Sequence, residues 1–335
     1  MLKKLFQSFR SPLRRAAHKR STPEVLNSNQ HPLRRAEISR YALSVVDRLQ
    51  QAGYQAYLVG GCVRDLLLNL EPKDFDVATS ATPEQVRAEF RNARVIGRRF
   101  KLVHVHFGRE IIEVATFRAN HPQGDEDEDS NLSSRNESGR ILRDNVYGSL
   151  EDDAQRRDFT INALYLDASC ERILDYANGV HDIRNRLIRL IGDPEKRYQE
   201  DPVRMLRAVR FAAKLDFDIE KHSAAPIPRL ARLLHEIPSA RLFDEVLKLF
   251  LAGNAEHTFE LLLEYNLFAP LFPAAAAALK RDPEYAGELI RLALASTDRR
   301  IEQGKTVTPA FLFAALLWPA LPARVSELQG KGMPA

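Results

Sequence analysis

The sequence predicts an α+β protein in which a small mixed sheet with helices is followed by an all-helical region. Two patterns indicate this architecture. Short apolar runs alternate with helical segments up to about residue 193, and from Pro194 onward apolar residues recur at helical spacing. A chain of 335 residues is too long for one compact module, so we expect more than one domain.

The elements of the first region follow from its apolar pattern. Leu43, Val46 and Leu49 predict an amphipathic helix that ends at Gly53, and Thr82 is a good N-cap for a later helix. A further helix is predicted at residues 63–70. Short apolar runs predict strands at residues 56–59, 74–79, 94–96, 102–107 and 111–117.

Residues 119–145 break this pattern. An acidic run at 125–129 is followed by Ser- and Asn-rich sequence, which predicts a solvated, mobile surface loop. We therefore divide the chain into a head at 37–193, a helical neck at 194–270 that binds nucleotide and RNA, and a short helical body at 271–335.

Positive charge is concentrated at the N-terminus. Residues 1–40 hold ten Lys or Arg and two acidic residues, a net charge of +8; the whole chain carries +4, so the rest sums to −4. Such an arm is attracted to polyanions, although a solvated tail or an Arg-rich targeting peptide has the same composition. We predict that residues 1–36 form a basic disordered extension.

The composition excludes several classes of protein. No run approaches the ~20 apolar residues that a transmembrane helix needs, so no membrane partner is expected. Cys62 and Cys170 are too few for a disulfide framework or a four-thiolate zinc site, and we expect both to be plain core residues. A reducing, cytoplasmic location fits this cysteine usage.

Two glycines and two aspartates carry the first chemical signal. Gly60 and Gly61 separate a predicted strand from a predicted helix, where free backbone N–H groups can meet phosphate oxygens. Asp74 and Asp76 alternate onto one strand face and repel each other unless a cation lies between them. Two Mg²⁺ ions shared with triphosphate oxygens, or Mn²⁺ in their place, would meet that need. The alternative is an exposed strand edge with two solvated aspartates.

A later strand offers a third carboxylate. Glu113 could join the metal site, or it could be an edge-strand glutamate that faces water. His104 and His106 share one strand face, and we expect them to pack within the sheet rather than bind a metal.

The start of the neck suggests base recognition. On one helix from Pro194, Arg197, Asp201 and Arg204 would fall within about 60° of one another. An Asp beside an Arg offers an acceptor and a fork of donors, as the Watson–Crick edge of a nucleobase requires. A surface ion pair explains the same spacing equally well.

Four ordered motifs between residues 40 and 270 carry a family resemblance. They are Gly60-Gly61-Cys62-Val63-Arg64-Asp65 with Asp74-Phe75-Asp76, Arg156 to Asn162, Asp175 to Gly179 with Asp182, and Glu200 to Arg204 with Arg207. This series resembles the polymerase-β-type nucleotidyltransferases, in the branch of bacterial poly(A) polymerases and CCA-adding tRNA nucleotidyltransferases. The resemblance implies a polymerase-β-like head, an all-α neck and body, and template-independent addition of nucleotides to RNA 3′ ends.

The resemblance also implies roles for individual residues. It implies that Asp74, Asp76 and Asp158 are active-site acids and that ATP and RNA 3′ ends are the partners. The nucleotide-binding residues would be Gly60, Gly61, Arg64, Arg157, Asn162, Asp201, Arg204 and Arg207. From the residues alone, Asp158 could instead hold Arg157 or a ribose hydroxyl, and Asn162, one helical turn later, should share its face.

One segment separates the two activities of the family. The run from Val95 to Val105 resembles the poly(A) polymerase version, and its Arg98, Arg99 and Lys101 predict a grip on RNA phosphates. We therefore expect AMP transfer from ATP to RNA 3′ ends with release of pyrophosphate. A CCA-adding enzyme is the alternative, and a catalytically weak RNA-binding member is the third. Resembling poly(A) polymerases usually continue well beyond this length, so we expect a shortened body.

Overall fold

An eight-stranded mixed sheet dominates the first half of the computed structural model, which describes residues 22–97, 101–119, 133–135, 141–144 and 146–331. The described strands are β1 (Glu24–Leu26), β2 (Ala56–Val59), β3 (Asp76–Thr79), β4 (Ala93–Ile96), β5 (Leu102–Phe107), β6 (Glu110–Thr116), β7 (Ser133–Arg135), β8 (Ile141–Asp144), β9 (Leu164–Asp167), β10 (Arg172–Asp175), β11 (Leu187–Ile188) and β12 (Asp218–Ile219).

The order across the large sheet is β1-β10-β9-β2-β3-β6-β5-β4. Strands β3 and β6 pair in parallel, whereas the other neighbours in this sheet are antiparallel. The parallel register places Asp76 directly opposite Glu113. Strands β7 and β8 form a separate antiparallel pair, and β11 and β12 form a short parallel pair.

Helices cover the sheet and form the second half of the molecule. They are α1 (Arg40–Gln51), α2 (Gly61–Leu67), α3 (Pro83–Glu89), α4 (Leu150–Arg156), α5 (Gly179–Arg184), α6 (Pro194–Glu200), α7 (Val203–Leu215), α8 (Lys221–Ala224), α9 (Ile227–Leu230), α10 (Ser239–Phe250), α11 (Ala255–Glu264), α12 (Phe268–Leu271), α13 (Pro273–Arg281), α14 (Pro283–Glu302), α15 (Pro309–Leu317) and α16 (Leu321–Gly330). The predicted mixed sheet followed by helices is confirmed.

Local signals set several helix starts. The Thr82 side chain accepts from the Gln85 N–H at the start of α3, with Pro83 in the first turn, as predicted. The Asp193 side chain accepts from the N–H groups of Glu195 and Lys196 at the start of α6. Helix α6 follows β11, and the domain boundary near residue 193 stays a prediction.

One buried core links the sheet to the helices. Leu58 and Val114 of the sheet belong to the same buried cluster as Leu206 and Val209 of α7, and the cluster continues to Leu316 of α15. Residues on the sheet and on α7 are therefore held in fixed relation by shared packing.

Ordered structure begins earlier than the sequence predicts. Strand β1 pairs with β10 at the sheet edge, and Leu26 and Leu33 are buried. The prediction of a disordered extension is therefore wrong for residues 22–36, while residues 1–21 lie outside the described part of the chain. The reason is tertiary: the partner of this short strand lies about 150 residues away in the sequence, so no local pattern marks it.

Two other expectations meet the structure only in part. Most of the predicted mobile loop at 119–145, including its acidic run, lies outside the described residues, and β7 and β8 come from the remainder.

In the described part of the chain, Pro309–Gly330 is long and apolar enough to cross a membrane by length and composition alone. Only 17% of its apolar window is buried, and Leu312 and Leu316 are the residues of this stretch that belong to the main core.

Candidate active site

A cleft of about 350 Å³ lies where the sheet meets α7 and α10 and the end of α4. Charged side chains line most of it. The sheet contributes Asp76 and Glu113, and the helical side contributes Arg204, Arg207 and Arg241. Carboxylates thus face arginines across a space large enough for a nucleotide.

Asp76 and Glu113 form the acidic wall. They are direct neighbours across β3 and β6. Burial raises the pKa of the Asp76 carboxyl to about 6, and the negative charges of Glu113 and Asp74 add to the rise. Asp74 precedes β3, is exposed and is not among the residues that line the cleft, so the prediction that it alternates with Asp76 onto one strand face is wrong, and its charge alone is felt at Asp76. A buried carboxyl whose ionisation is disfavoured by neighbouring negative charge indicates a place prepared for positive charge.

The donor set fits Mg²⁺ only in part. In residues 22–97, 101–119 and 146–331, no group of three or more His, Cys, Asp or Glu side chains is arranged to hold a metal ion by itself. Mg²⁺ is commonly bound through one or two carboxylates together with substrate phosphates and water. Asp76 and Glu113, the two carboxylates of the sheet that line the cleft, therefore suit a metal that arrives with a triphosphate.

The histidines next to this wall contact each other and Glu113. His104 Nε2 lies 3.4 Å from Glu113 Oε2, and the rings of His104 and His106 pack edge to face with centroids 6.2 Å apart. The His104 ring thus takes part in the packing of β5 against β6, and the His106 ring packs against His104.

The Gly60 turn lies beside an arginine. Gly60 has φ +80° and ψ −128°, a conformation that residues with a side chain rarely adopt. A Cβ added there would lie 3.5 Å from Arg157 Nη1. The turn into α2 therefore presents bare backbone next to the Arg157 guanidinium.

Arg157 is held from behind by two side chains. Its Nε and Nη2 donate to Asp153 Oδ2 at 3.1 and 3.0 Å, and Nε also donates to the Tyr165 hydroxyl at 2.9 Å. Tyr165 donates in turn to Asp153 Oδ2 at 2.7 Å. Arg157 lines the cleft, and its charge opposes the rise in the pKa of Asp76.

Arg64 and Asn162 lie beneath the site. Arg64 is 3% exposed and donates to Asp65 Oδ1 through Nε and Nη2, and to Asn162 Oδ1 through Nη1 at 2.6 Å. Asn162 is 6% exposed. Because neither residue lines the cleft, this geometry suits support of the Gly60 turn better than direct contact with phosphate.

The expectation that Asn162 shares a helix face with Asp158 is wrong. Residues Thr160–Asn162 form a single 3₁₀ turn, and Phe159 before it is extended, with φ −120° and ψ 145°. The extended backbone breaks the helical spacing between the two residues.

Asp158 is fully engaged in the structure. Arg207 Nε donates to Asp158 Oδ2 at 2.7 Å, a second Arg207 nitrogen pairs with the same oxygen, and the Phe159 N–H donates to Oδ1 at 2.8 Å. Burial raises the pKa of Asp158, but the Arg207 charge and these hydrogen bonds outweigh it and lower the pKa to about 2. The carboxylate is therefore ionised and orients Arg207 in the cleft.

The base-recognition motif does not lie on one helix. Helix α6 ends at Glu200, α7 starts at Val203, and Asp201 between them is extended, with φ −149° and ψ 94°. The prediction of a continuous helix from Pro194 is therefore wrong. Pro202 explains the break, because proline disfavours the helical conformation in the residue before it.

Tertiary contacts nevertheless bring the motif into the cleft. Arg204 Nη1 donates to the Arg197 carbonyl at 2.7 Å and to Glu200 Oε2 at 3.3 Å. Arg241 of α10 donates to Asp201 Oδ2 at 2.7 Å. An acceptor and a fork of donors thus face the cleft together, each fixed by a neighbour.

The predicted RNA contacts are described only in part. Arg98 and Arg99 lie outside the described residues. Lys101 is described, and its Nζ lies 3.5 Å from Glu84 Oε1, a weak and exposed pair.

Sequence reasoning missed Asp153, Tyr165 and Arg241. Asp153 carried a weak local signal, because it lies four residues before Arg157, the spacing of an i,i+4 ion pair at the end of α4. Tyr165 and Arg241 carried none, since tertiary packing brings them to Arg157 and Asp201.

Comparison with known proteins gives consistent results. The profile described as "Poly A polymerase head domain" matches residues 56–189, and the one described as "Probable RNA and SrmB- binding site of polymerase A" matches residues 216–279. The Poly(A) polymerase I of Salmonella typhimurium is 56% identical over 295 residues, covering 88% of this chain and 63% of that protein. The Poly(A) polymerase I of Haemophilus influenzae is 50% identical over 316 residues, covering 94% and 69%.

CCA-adding enzymes match a shorter part of the sequence, although their fold is similar over most of the chain. That of Lactobacillus helveticus is 38% identical over 226 residues, covering 68% of this chain and 53% of the relative. The solved Bacillus stearothermophilus CCA-adding enzyme in complex with CTP has a TM-score of 0.58 and 28% identity, covering 86% of this chain and 82% of that one. The chain spans 63% and 69% of the length of the two Poly(A) polymerase I relatives above.

Proposed function

This chain belongs to the bacterial poly(A) polymerase family, and from that premise we propose that it adds AMP from ATP to RNA 3′ ends without a template and releases pyrophosphate. The observation that carries the proposal is the acidic pair Asp76 and Glu113 facing arginines across one cleft. Such a site suits the triphosphate of a nucleotide bound with divalent metal.

The comparison favours poly(A) synthesis over CCA addition. Relatives named Poly(A) polymerase I are 50–56% identical and cover 88–94% of this chain, whereas a relative named CCA-adding enzyme is 38% identical over 68% of it. The Val95-to-Val105 string supports the same choice. CCA addition remains the second candidate because the solved structure reported above is a CCA-adding enzyme with CTP.

Asp74, Asp76 and Glu113 would hold two Mg²⁺ ions, with Mn²⁺ as an alternative. When bound, these ions supply Lewis-acid chemistry that lowers the pKa of the RNA 3′-hydroxyl and stabilises the charge on the triphosphate and the leaving pyrophosphate. The side chains position the reacting groups, and no covalent bond to the protein is required.

The other residues of the cleft would bind the nucleotide. The Gly60 turn, Gly61 and Arg157 suit the phosphates, since bare backbone and a fixed guanidinium lie together there. Asp201 and Arg204 suit the edge of adenine. Arg207, held by Asp158, adds positive charge on the same side.

The neck and the basic residues would hold the RNA. The RNA-binding profile matches residues 216–279, and Lys101 with Arg98 and Arg99 adds positive charge near the head. Because a poly(A) polymerase holds RNAs of unrelated sequence, its affinity should come mainly from phosphates. The bacterial relatives and the cysteine usage support a cytoplasmic location.

A direct assay tests the proposed activity. The purified chain would be given an unstructured RNA or a tRNA lacking its CCA end, with each of the four nucleoside triphosphates in turn. Long addition of adenosine to the unstructured RNA from ATP alone is expected. Addition that stops at CCA on the tRNA and ignores the other RNA would favour the second candidate.

Arg204→Ala tests base selection. If Asp201 and Arg204 bind adenine, the variant should lose preference for ATP over CTP, GTP and UTP by roughly tenfold, because an unpaired buried polar edge costs ~1–3 kcal/mol. The measurement is kcat/KM for each nucleotide. If the variant kept its selectivity and lost only stability, Arg204 would have a structural role through its ion pair with Glu200 and no role in base selection.

A further inference from the structure

We propose that Asp153 and Tyr165 are positioning residues, which hold the Arg157 guanidinium against the Gly60 turn so that it meets the phosphates of the incoming nucleotide. This inference rests on the proposed function, in which Arg157 contacts the nucleotide. Neither Asp153 nor Tyr165 belongs to the predicted set of nucleotide-binding residues.

The contacts form a closed triangle. Arg157 donates to Asp153 through two nitrogens and to the Tyr165 hydroxyl, while that hydroxyl donates to Asp153 at 2.7 Å. The Arg118 N–H donates to the other Asp153 oxygen at 3.3 Å. Arg157 Nε and Nη2 thus both have hydrogen-bond acceptors, and these acceptors lie on α4 and β9.

Burial makes the triangle stiff. Tyr165 is fully buried and Asp153 is 7% exposed. Burial raises the pKa of the Tyr165 phenol well above its ordinary value, so the hydroxyl keeps its proton and donates it to Asp153. A neutral phenol can then accept from Arg157 Nε, which fixes the direction of both hydrogen bonds.

The triangle leaves one side of Arg157 for a ligand. Nη1 lies 3.5 Å from the Asn162 carbonyl oxygen and at the same distance from the position of a Cβ on Gly60. The Arg157 charge also reaches Asp76 and opposes the rise in its pKa. The cation therefore stands between the structural acid Asp153 and the acidic wall of the cleft.

An arginine that is already held in place lowers the entropic cost of binding the nucleotide. A free arginine side chain loses rotamer entropy when it is fixed on a ligand. Asp153 and Tyr165 make that loss part of folding, so nucleotide binding does not incur it again.

A double-mutant cycle tests the proposal. The variants are Tyr165→Phe, Arg157→Lys and their combination, with Tyr176→Phe as the matched control. Tyr176 packs edge-on against the Tyr165 ring with centroids 6.4 Å apart, so the control removes a hydroxyl from the same aromatic cluster. The readouts are kcat/KM for ATP, the dissociation constant for ATP without RNA, and the melting temperature.

We expect Tyr165→Phe to weaken ATP binding and kcat/KM by about tenfold, the size of a missing hydrogen bond to a charged group. Tyr176→Phe should stay within about twofold of the parent, as for a surface or ring-edge change. In the Arg157→Lys background, Tyr165→Phe should cost little more, because the phenol acts through Arg157.

Two results would overturn the proposal. One is a Tyr165→Phe effect as small as that of Tyr176→Phe. The other is an equal Tyr165→Phe effect with and without Arg157. A parent protein that binds ATP but does not extend RNA would refute the proposed activity, while the binding cycle would still decide the role of Tyr165.

Discussion

The pKa values of two acidic residues in the same cleft are shifted in opposite directions. The pKa of Asp76 is raised to about 6 by burial beside Glu113, whereas that of Asp158 is lowered to about 2 because Arg207 and a backbone N–H outweigh burial. Asp76 therefore has the capacity to bind a cation. The charge of Asp158 is already used within the protein, which favours an orienting role for it.

The Asp158–Arg207 pair predicts acid-sensitive stability. Because the folded pKa lies below the ordinary 3.8, the pair stabilises fully above about pH 4, and the contribution disappears as the pH falls towards 2. The shift corresponds to about 2 kcal/mol. Urea unfolding of the parent and Asp158→Asn between pH 2 and 6 measures it.

The difference in unfolding free energy between parent and variant should shrink below pH 4. An equal difference at pH 2 and pH 6 would contradict the ion-pair account.

At the scale of elements, residues with local signals were predictable. Thr82 and Pro83 start α3 as expected, and the sheet-then-helix order follows the apolar pattern. Strand β1 was not predictable, since its pairing with β10 is a distant contact. The break at Asp201 had a signal in Pro202, which the helical spacing of the neighbouring apolar residues outweighed.

In the candidate site too, residues in local sequence motifs were predictable, whereas residues brought in by distant contacts were not. The Gly60 turn and Asp76 belong to sequence motifs, so residue type and order pointed to them. The partners that fix the site come from elsewhere in the fold, as Arg241 does for Asp201 and Tyr165 for Arg157. Buried Arg64 shows the limit of a motif, because residue type alone did not reveal which way the side chain faces.

Arg197 joins α6 to the end of α4 and is expected to be a stability determinant. It is 9% exposed, and its Nη2 donates to the Arg156 and Arg157 carbonyls at 2.6 and 2.7 Å. Arg197→Ala leaves those carbonyls unpaired and should lower the free energy of unfolding by roughly 3 kcal/mol. Chemical denaturation measures the change.

Arg229→Ala is the matched control. Arg229 of α9 pairs with Glu195, which lies on α6 as Arg197 does. Both side chains of this pair are exposed, so the substitution should not change stability measurably. Equal effects of the two substitutions would show that Arg197 is an ordinary surface arginine.

At the scale of the whole molecule, the N-terminal segment combines two roles. Residues 1–21 contain seven Lys or Arg and no acidic residue. The next part includes β1 and the half-buried contacts of Arg35, whose N–H donates to Glu171 Oε1 at 3.0 Å. Residues 1–21 thus carry basic charge without acidic residues, whereas the residues that follow pack against the rest of the protein.

Two deletions separate these roles. Removal of residues 1–21 should weaken RNA binding at low salt and flatten the log–log salt slope, by ~0.7 for each phosphate that the segment neutralises. The melting temperature should stay the same. Removal of residues 1–36 also deletes β1 and should lower the melting temperature. A salt slope unchanged by the shorter deletion would contradict a role of this segment in RNA binding.

Asp76→Asn tests whether the acidic cleft transfers AMP to RNA. Parent and variant would be given an unstructured RNA, ATP and Mg²⁺, with chain length and melting temperature measured together. The substitution removes a carboxylate whose charge burial and Glu113 disfavour, so the metal-free melting temperature should not fall. The parent should lengthen the RNA by many adenosines, while the variant should be slower by at least about a hundredfold. A folded Asp76→Asn protein that extends RNA at the parent rate would contradict the account.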